Sequence, residues 1–289
     1  MKLQLFFILL LSNIYILSAQ VNHKVRFNDT YSQLRSLKDC IKAEKDYFWL
    51  YEGDYVFKKN YKNIILDSFY FDNSFSKPKL KIISKKNIPY IISISGGMVW
   101  SIVNDSFVRT DNSYNHKLTN HSSVFVHKDT IFKFGGYGYW SNRNFFTYYC
   151  ENSNQWEFYP IDSKSKMPPA LTAMQFSYDQ NLFFVCGGSK VDPRNGITRK
   201  ANNNIWHFNF DSKKWKDLGT SKFLDHDSHQ WVEIGQNLHF VSNTNPNKNF
   251  QNNFIVDFNK NQSFPLKGLP DFPVDKTFFS NDTLFYLQN

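Results

Sequence analysis

Residues 131–136 read IFKFGG and residues 182–188 read LFFVCGG, so the same kind of apolar run leads twice into a glycine pair. An aromatic residue and then a tryptophan follow each pair: Tyr149 and Trp156 after the first, Phe208 and Trp215 after the second. The aromatic precedes the tryptophan by seven residues in both copies, from 156 − 149 and 215 − 208. A sequence motif that recurs at an interval of this length indicates a fold built from repeated units.

The repeat extends in both directions along the chain. A third glycine pair closes residues 91–97 (IISISGG), and the segments 236–241 (QNLHFV) and 282–287 (DTLFYL) match the strands but lack the glycines. The intervals between successive strand-opening residues are 39, 51, 56 and 46 by subtraction, for Ile92, Ile131, Leu182, Leu238 and Leu284. They bracket the roughly 50-residue period of kelch repeats.

On these residues the chain resembles the kelch-repeat β-propeller family, which includes galactose oxidase-like propellers, over residues 88–289. The resemblance implies an all-β fold in which each repeat is one four-stranded sheet, or blade. It also implies that the glycine pair ends the second strand, while the aromatic and the tryptophan lie on the third and fourth. We expect the repeat residues to serve packing, because glycine permits close approach of backbones and large aromatics fill the space between sheets. These residues are Gly96, Gly97, Gly135, Gly136, Tyr149, Trp156, Gly187, Gly188, Phe208 and Trp215.

The domain boundaries follow from the strand pattern. Residues 46–289 are predicted to form a propeller of about five blades, and residues 20–45 to form a lead-in with a short helix from Thr30 to about Lys45. The sequence leaves two alternatives for how the ring of blades is completed. In the first, strands from about residue 276 to 287 join the N-terminal strands in a composite blade that closes the ring. In the second, the chain is an incomplete part of a longer protein.

The N-terminus predicts export from the cell. Residues 1–19 have the pattern of a secretory signal, with Lys2, an apolar stretch over 3–17 and a small-residue cleavage region at Ser18 and Ala19. The alternative is an uncleaved membrane anchor, and no other segment is apolar enough to span a membrane. We therefore expect an exported, bacterial-type protein that is periplasmic, attached to the outer envelope or secreted.

Charge and cysteine usage limit the partners and cofactors. The net charge of +9 comes from scattered lysines, which favours a solvated surface over nucleic-acid binding and leaves attraction to anionic polysaccharide or a membrane surface open. Cys150 and Cys186 could pair after export, although a buried thiol is the expected role of Cys186. No spacing resembles a metal site, so we expect no metal and no cofactor.

The candidate ligand-binding residues lie between the repeat residues. Tyr137, Tyr139, Trp140 and Arg143 follow one glycine pair and combine aromatic faces with polar neighbours, as carbohydrate and peptide platforms do. Further candidates are Arg194 in the 189–204 insertion, Arg109, and His226 and His229 in the DHDSH segment 225–229. For each there is a structural alternative: packing for the aromatics, solvation for the arginines and a hydrogen-bonded turn for the histidines.

Two functions follow from these features. The first is an exported, non-catalytic binding or scaffold module that recognises a protein or glycan through loops on one propeller face. The second is a periplasmic, carbohydrate-active enzyme like the kelch isomerases, which needs an acid–base pair beside a carboxylate-binding arginine. A copper oxidase is excluded by the length of the chain, and the catalytic residues of any enzyme are unknown.

Overall fold

The computed structural model describes most of the chain from Ile41 onward. The described residues are 41–72, 80–94, 96–113, 119–138, 141–170, 175–179, 181–187, 189–191, 199–201, 204–221, 229–235, 238–243, 253–257, 260–265, 277–280 and 283–286. Within these ranges there are strands and turns but no helix, and hence none that could span a membrane. The predicted all-β class is confirmed.

The first eight strands form two antiparallel meanders of four strands each, which we name unit 1 and unit 2. Unit 1 contains β1 (Ile41–Ala43), β2 (Tyr47–Glu52), β3 (Tyr55–Asn60) and β4 (Ile65–Phe71). Unit 2 contains β5 (Leu80–Lys85), β6 (Ile88–Ser93), β7 (Val99–Val103) and β8 (Ser106–Arg109). The fourth strands of both units pair in parallel through Tyr70 with Ser106 and Phe71 with Phe107, so the two units form one eight-stranded sheet.

Units 3 and 4 are separate four-stranded antiparallel sheets, each with a two-stranded hairpin inserted between its second and third strands. Unit 3 contains β9 (Ser123–His127), β10 (Thr130–Phe134), β13 (Phe146–Cys150) and β14 (Gln155–Phe158), with the hairpin β11 (Tyr137–Gly138) and β12 (Ser141–Asn142). Unit 4 contains β15 (Gln175–Asp179), β16 (Leu182–Cys186), β19 (Asn204–Asn209) and β20 (Lys214–Thr220), with the hairpin β17 (Ser189–Val191) and β18 (Arg199–Ala201).

The last six strands form a complete unit and a half-sized one. Unit 5 contains β21 (His229–Gly235), β22 (Leu238–Asn243), β23 (Asn253–Asp257) and β24 (Gln262–Pro265). Within the described residues, unit 6 contains β25 (Thr277–Ser280) and β26 (Thr283–Tyr286). The first strands contact one another in the order β1, β5, β9, β15, β21 and β25, and β25 in turn contacts β1. The six units therefore follow one another in a closed order.

The hydrophobic core lies between neighbouring units because strand residues point alternately to the two faces of each sheet. In β10, Ile131 packs against unit 2, while Phe132 and Phe134 pack against unit 4. Unit 4 does the same, with Phe183 facing unit 3 and Phe184 facing Val256 of unit 5. Each of these sheets is thus covered on both faces.

The seven-residue spacing of the repeat has a simple structural cause. Tyr149 on β13 lies directly opposite Trp156 on β14, and Phe208 on β19 lies directly opposite Trp215 on β20. The ring centroids of the two pairs are 5.6 and 5.2 Å apart. The backbone N–H of each tryptophan donates to a serine hydroxyl of the preceding linker, over 2.6 Å for Ser113 to Trp156 and 2.7 Å for Ser165 to Trp215. The predicted positions on the third and fourth strands are confirmed.

Gly97 and Gly136 serve close approach, as predicted, whereas nothing lies within 4 Å of a Cβ added at Gly96 or Gly187. Gly97 has φ +78°, and a Cβ there would lie 2.5 Å from Nζ of Lys133 in the next unit. Gly136 has φ +89°, and a Cβ there would lie 2.6 Å from the carbonyl oxygen of Asn120. Positive φ values also occur at Gly96, Gly135 and Gly187, whereas Gly188 lies outside the described residues.

Several sequence predictions are corrected. Residues Ile41–Ala43 of the predicted helix form β1 because they pair with β2 in register, Ile41 opposite Leu50, and residues 44–45 are not helical either. Residues 30–40 of that helix and the signal segment lie outside the described residues. The composite blade is wrong for the described strands, since β25 pairs with β26 and only lies against β1. Cys150 and Cys186 are free thiols, so the disulfide that the sequence left open is absent between them, whereas the expected buried thiol at Cys186 is confirmed. Burial raises the pKa of Cys186.

Candidate ligand-binding site

The segment between β10 and β13 forms a compact loop at one end of unit 3. The Arg143 N–H donates to the Gly136 carbonyl over 2.8 Å, and the Gly135 N–H donates to the Phe145 carbonyl over 3.2 Å. The glycine pair makes this return possible because both residues adopt positive φ. The chain therefore leaves and re-enters the sheet at nearly the same place, with the hairpin β11–β12 outside it.

The linker that leads into unit 3 adds a third segment to this hairpin. The Asn120 N–H donates to the Tyr137 carbonyl and the Tyr137 N–H donates to the Asn120 carbonyl, both over 2.8 Å. Tyr137 is also the register partner of Asn142 across the hairpin. Asn120, Tyr137 and Asn142 thus form one row, and side chains in such a row share a face about 5 Å apart. The result is a tyrosine flanked by two amides.

Three buried polar atoms in this region have no hydrogen-bond partner in the part of the chain that the structure describes. They are Oγ of Ser122, Oδ1 of Asn142 and Nε of Arg143. Buried polar groups in native proteins nearly always have partners, and an unpaired one costs about 1–3 kcal/mol. All three belong to the hydrogen-bonded assembly of linker and hairpin.

Arg143 differs from the other arginine candidate that the structure describes. Its guanidinium lies 5.8 Å from the Phe145 ring centroid, and it makes no ion pair with a described residue. Arg109 instead binds Asp111, with Nε to Oδ1 at 3.0 Å and Nη2 to Oδ2 at 3.4 Å. The buried Asp111 also accepts the Val99 N–H over 2.9 Å. Arg109 is therefore a structural residue, and Arg143 is available for a ligand.

The structure brings together two of the predicted site residues, Tyr137 and Arg143. Tyr139, Trp140, Arg194 and His226 lie outside the described residues, and of His229 only the backbone is described, at the start of β21 opposite Asn243. Within the described ranges no group of three or more His, Cys, Asp or Glu side chains could hold a metal ion. The roles of the other candidates stay predictions.

A fully buried lysine, Lys133, which was not predicted from the sequence, lies in the interface between units 2 and 3. Lys133 is 1 % exposed, and its Nζ lies 4.2 Å from the ring centroid of Trp156. Burial lowers its pKa to about 7, although the nearby Asp111 carboxylate acts in the opposite direction. Two features of the sequence could have indicated this burial. Lys133 lies two residues from the buried Ile131, on the same face of β10, and the next repeat has the apolar Val185 at the corresponding position.

No protein-family model and no curated protein matches this chain. The resemblance to kelch propellers therefore stays a prediction that depends on the repeat itself.

The contact between Gly136 and the linker can be tested by adding a single methyl group. Gly136→Ala should lower the free energy of unfolding by about 1–2 kcal/mol for its positive φ and by a further 1–3 kcal/mol for the clash with the Asn120 carbonyl. Gly219 is the matched control, because its φ is +86° but nothing lies within 4 Å of an added Cβ. Equal losses in urea unfolding of the two variants would contradict the close approach.

Proposed function

We propose that this protein is an exported, kelch-type β-propeller that binds a ligand through the face on which the β11–β12 hairpin lies, without catalysing a reaction. The observation that supports this function best is the row of Asn120, Tyr137 and Asn142 at the hairpin, next to the half-buried Arg143, which makes no ion pair with a described residue. Amide, phenol and guanidinium groups together donate and accept hydrogen bonds, so a hydroxyl-rich glycan fits better than a protein.

The closed order of the units supports the propeller. Five units are four-stranded meanders, and their first strands follow one another around a circuit that β25 completes against β1. Side chains alternate between the cores on the two faces of a sheet, as radial packing of blades requires. The repeat count then becomes five whole blades and one two-stranded blade, in place of about five.

The strand directions support the choice of face. In an antiparallel meander the connection from the second to the third strand lies at the same end of the sheet as the linkers between units. The pairing of Asn120 with Tyr137 agrees with this geometry. The hairpins β11–β12 and β17–β18 occupy the same connection in neighbouring units, so both belong to one face. Loops presented by a rigid frame are common places for recognition.

Binding should depend on the row of Tyr137 and its neighbours. We expect Tyr137→Ala and Asn142→Ala each to weaken glycan binding at least tenfold, about 1.4 kcal/mol, because they remove the stacking surface and a hydrogen-bond acceptor. Binding is measured by screening the purified chain on a glycan array and titrating the hits. Tyr70→Ala is the control, since Tyr70 is an exposed tyrosine of unit 1.

Two results would contradict this proposal. Equal affinity of the Tyr137 and Tyr70 variants would show that binding does not use the hairpin face. Turnover of a sugar, followed by NMR, would contradict a non-catalytic role and favour the isomerase-like alternative, whose predicted histidines lie outside the described side chains.

A further inference from the structure

We infer that two copies of this chain associate through β4, the fourth strand of unit 1, with the two β4 strands antiparallel to each other. This contact lies on a different unit from the β11–β12 hairpin, so it is separate from the proposed ligand site. The two copies then present their hairpin faces in a two-fold symmetric dimer.

Three consecutive apolar residues at the start of β4 are exposed to solvent. Ile64 directly precedes the strand and Ile65 and Leu66 open it, with exposed fractions of 56 %, 54 % and 53 %. Successive side chains of a strand point to opposite faces, so neither face of the sheet is covered here. Residues 151–154 and 211–213, in the corresponding turns of units 3 and 4, are polar (ENSN and DSK). Such an exposed apolar run is unusual in a soluble protein unless it forms a contact.

The same residues lie on a free edge of the eight-stranded sheet. β4 pairs with β8 through its last two residues, Tyr70 and Phe71. Residues 65–69 therefore have no strand on their outer side in the described part of the chain. An edge of this kind is open to the addition of another strand. Leu66 is an extra residue in the register between β3 and β4, and because a bulge interrupts a ladder, we expect the added contact to be short.

The charges around the apolar run favour a second copy of the chain as the partner. Lys62 precedes the run and Asp67 follows it; both are exposed, and neither forms an ion pair with a described residue, although Asp67 accepts the Ser68 N–H over 2.8 Å. When two such runs lie side by side and antiparallel, Lys62 of each copy lies near Asp67 of the other. Opposite charges then meet at both ends of an apolar centre, whereas a parallel arrangement brings like charges together. The pattern is complementary to itself, as a two-fold interface requires.

Sedimentation velocity of the full-length purified chain at increasing micromolar concentrations tests this association. We expect a monomer–dimer equilibrium of low affinity, because the contact is smaller than a standard interface. Leu66→Lys should abolish the dimer by placing two like charges at its apolar centre. Lys62→Asp and Asp67→Lys should each weaken it about tenfold, because either reversal brings like charges together at both ends. The variant with both reversals restores the complementary pattern and should associate as the wild type does.

Ile88→Lys is the matched control, because Ile88 is an apolar residue of unit 2 that is 49 % exposed. It should leave the dimer unchanged, and circular dichroism shows whether each variant is folded. A wild-type chain that stays monomeric at every concentration would overturn the inference, and so would a dimer that survives Leu66→Lys.

The variant with both charge reversals tests the antiparallel arrangement. If it associates as weakly as the two single variants, the paired charges and the antiparallel contact are wrong. A monomeric chain that binds vesicles of phosphatidylglycerol through Leu66 would also overturn the inference, in favour of a membrane contact. The hairpin face of unit 3 is unchanged in all these variants, so none of the outcomes decides whether that face binds a glycan.

Discussion

Replacing Trp156 by alanine should lower the free energy of unfolding by about 3–5 kcal/mol, the usual cost of deleting a buried tryptophan. Trp156 is completely buried between units 2 and 3, and its Nε1–H donates to the Gly97 carbonyl over 2.7 Å. The substitution therefore leaves a cavity, an unpaired carbonyl and a lysine without its aromatic neighbour. Urea unfolding followed by circular dichroism measures the loss.

Phenylalanine variants separate the hydrogen bond from the volume. Trp215 occupies the same repeat position as Trp156, but its Nε1 is buried without a partner in the described part of the chain. Trp156→Phe should therefore cost about 1 kcal/mol more than Trp215→Phe, the net value of one hydrogen bond plus the unpaired carbonyl. Similar losses for both variants would contradict the role of the Gly97 contact.

Lys133→Met should gain about 1 kcal/mol of stability relative to wild type for each unit by which the pH falls from 8.5 to 7. The variant keeps the side-chain length in a position where the next repeat has Val185, and it removes a charge from a fully buried site. Asp111 keeps Arg109 and the Val99 N–H as partners. Thermal and urea unfolding at several pH values measure the difference from wild type.

The sign of the pH effect follows from the lowered pKa of Lys133. Its pKa is about 7 in the folded protein against 10.5 ordinarily, so between these values the unfolded chain binds more protons at this group. Wild-type stability should therefore rise with pH above 7, by about 1 kcal/mol per pH unit from this residue, and this stability is lost as the pH falls to 7. The Lys133→Met variant lacks this slope.

An exposed lysine provides the control for this experiment. Lys128 pairs with Asp211 on the surface, with 69 % of its side chain exposed. Lys128→Met should change stability little and leave the pH slope of wild type intact. A difference between wild type and Lys133→Met that stays constant from pH 6.5 to 8.5 would contradict the lowered pKa.

The packing features of this fold were predictable because they depend on local spacing. Tyr149 and Trp156 are seven residues apart because a tight turn places them opposite each other, and that relation is written in the sequence. The glycine pairs were predictable for the same reason, since positive φ and close approach both require glycine.

Features that depend on pairing between distant segments were not predictable. Ile41 has helical spacing with Leu34 and Leu37, yet Ile41–Ala43 form a strand because they hydrogen-bond to β2. The orphaned atoms of Ser122, Asn142 and Arg143 are recognised only when the linker and hairpin are seen together. The burial of Lys133 likewise depends on contact with a neighbouring unit. The number of residues between such contacting segments differs from one repeat to the next, so local spacing does not reveal the contact.

The parallel pairing of β4 with β8 has a mechanical consequence for the ring of units. Units 1 and 2 are joined by hydrogen bonds between their fourth strands, β4 and β8, while their first strands, β1 and β5, are also in contact. No other neighbouring pair of units shares a ladder in the described ranges. Units 1 and 2 are thus held together both by a hydrogen-bonded ladder and by contact between their first strands. Under force or heat, separation should therefore begin between another pair of neighbouring units.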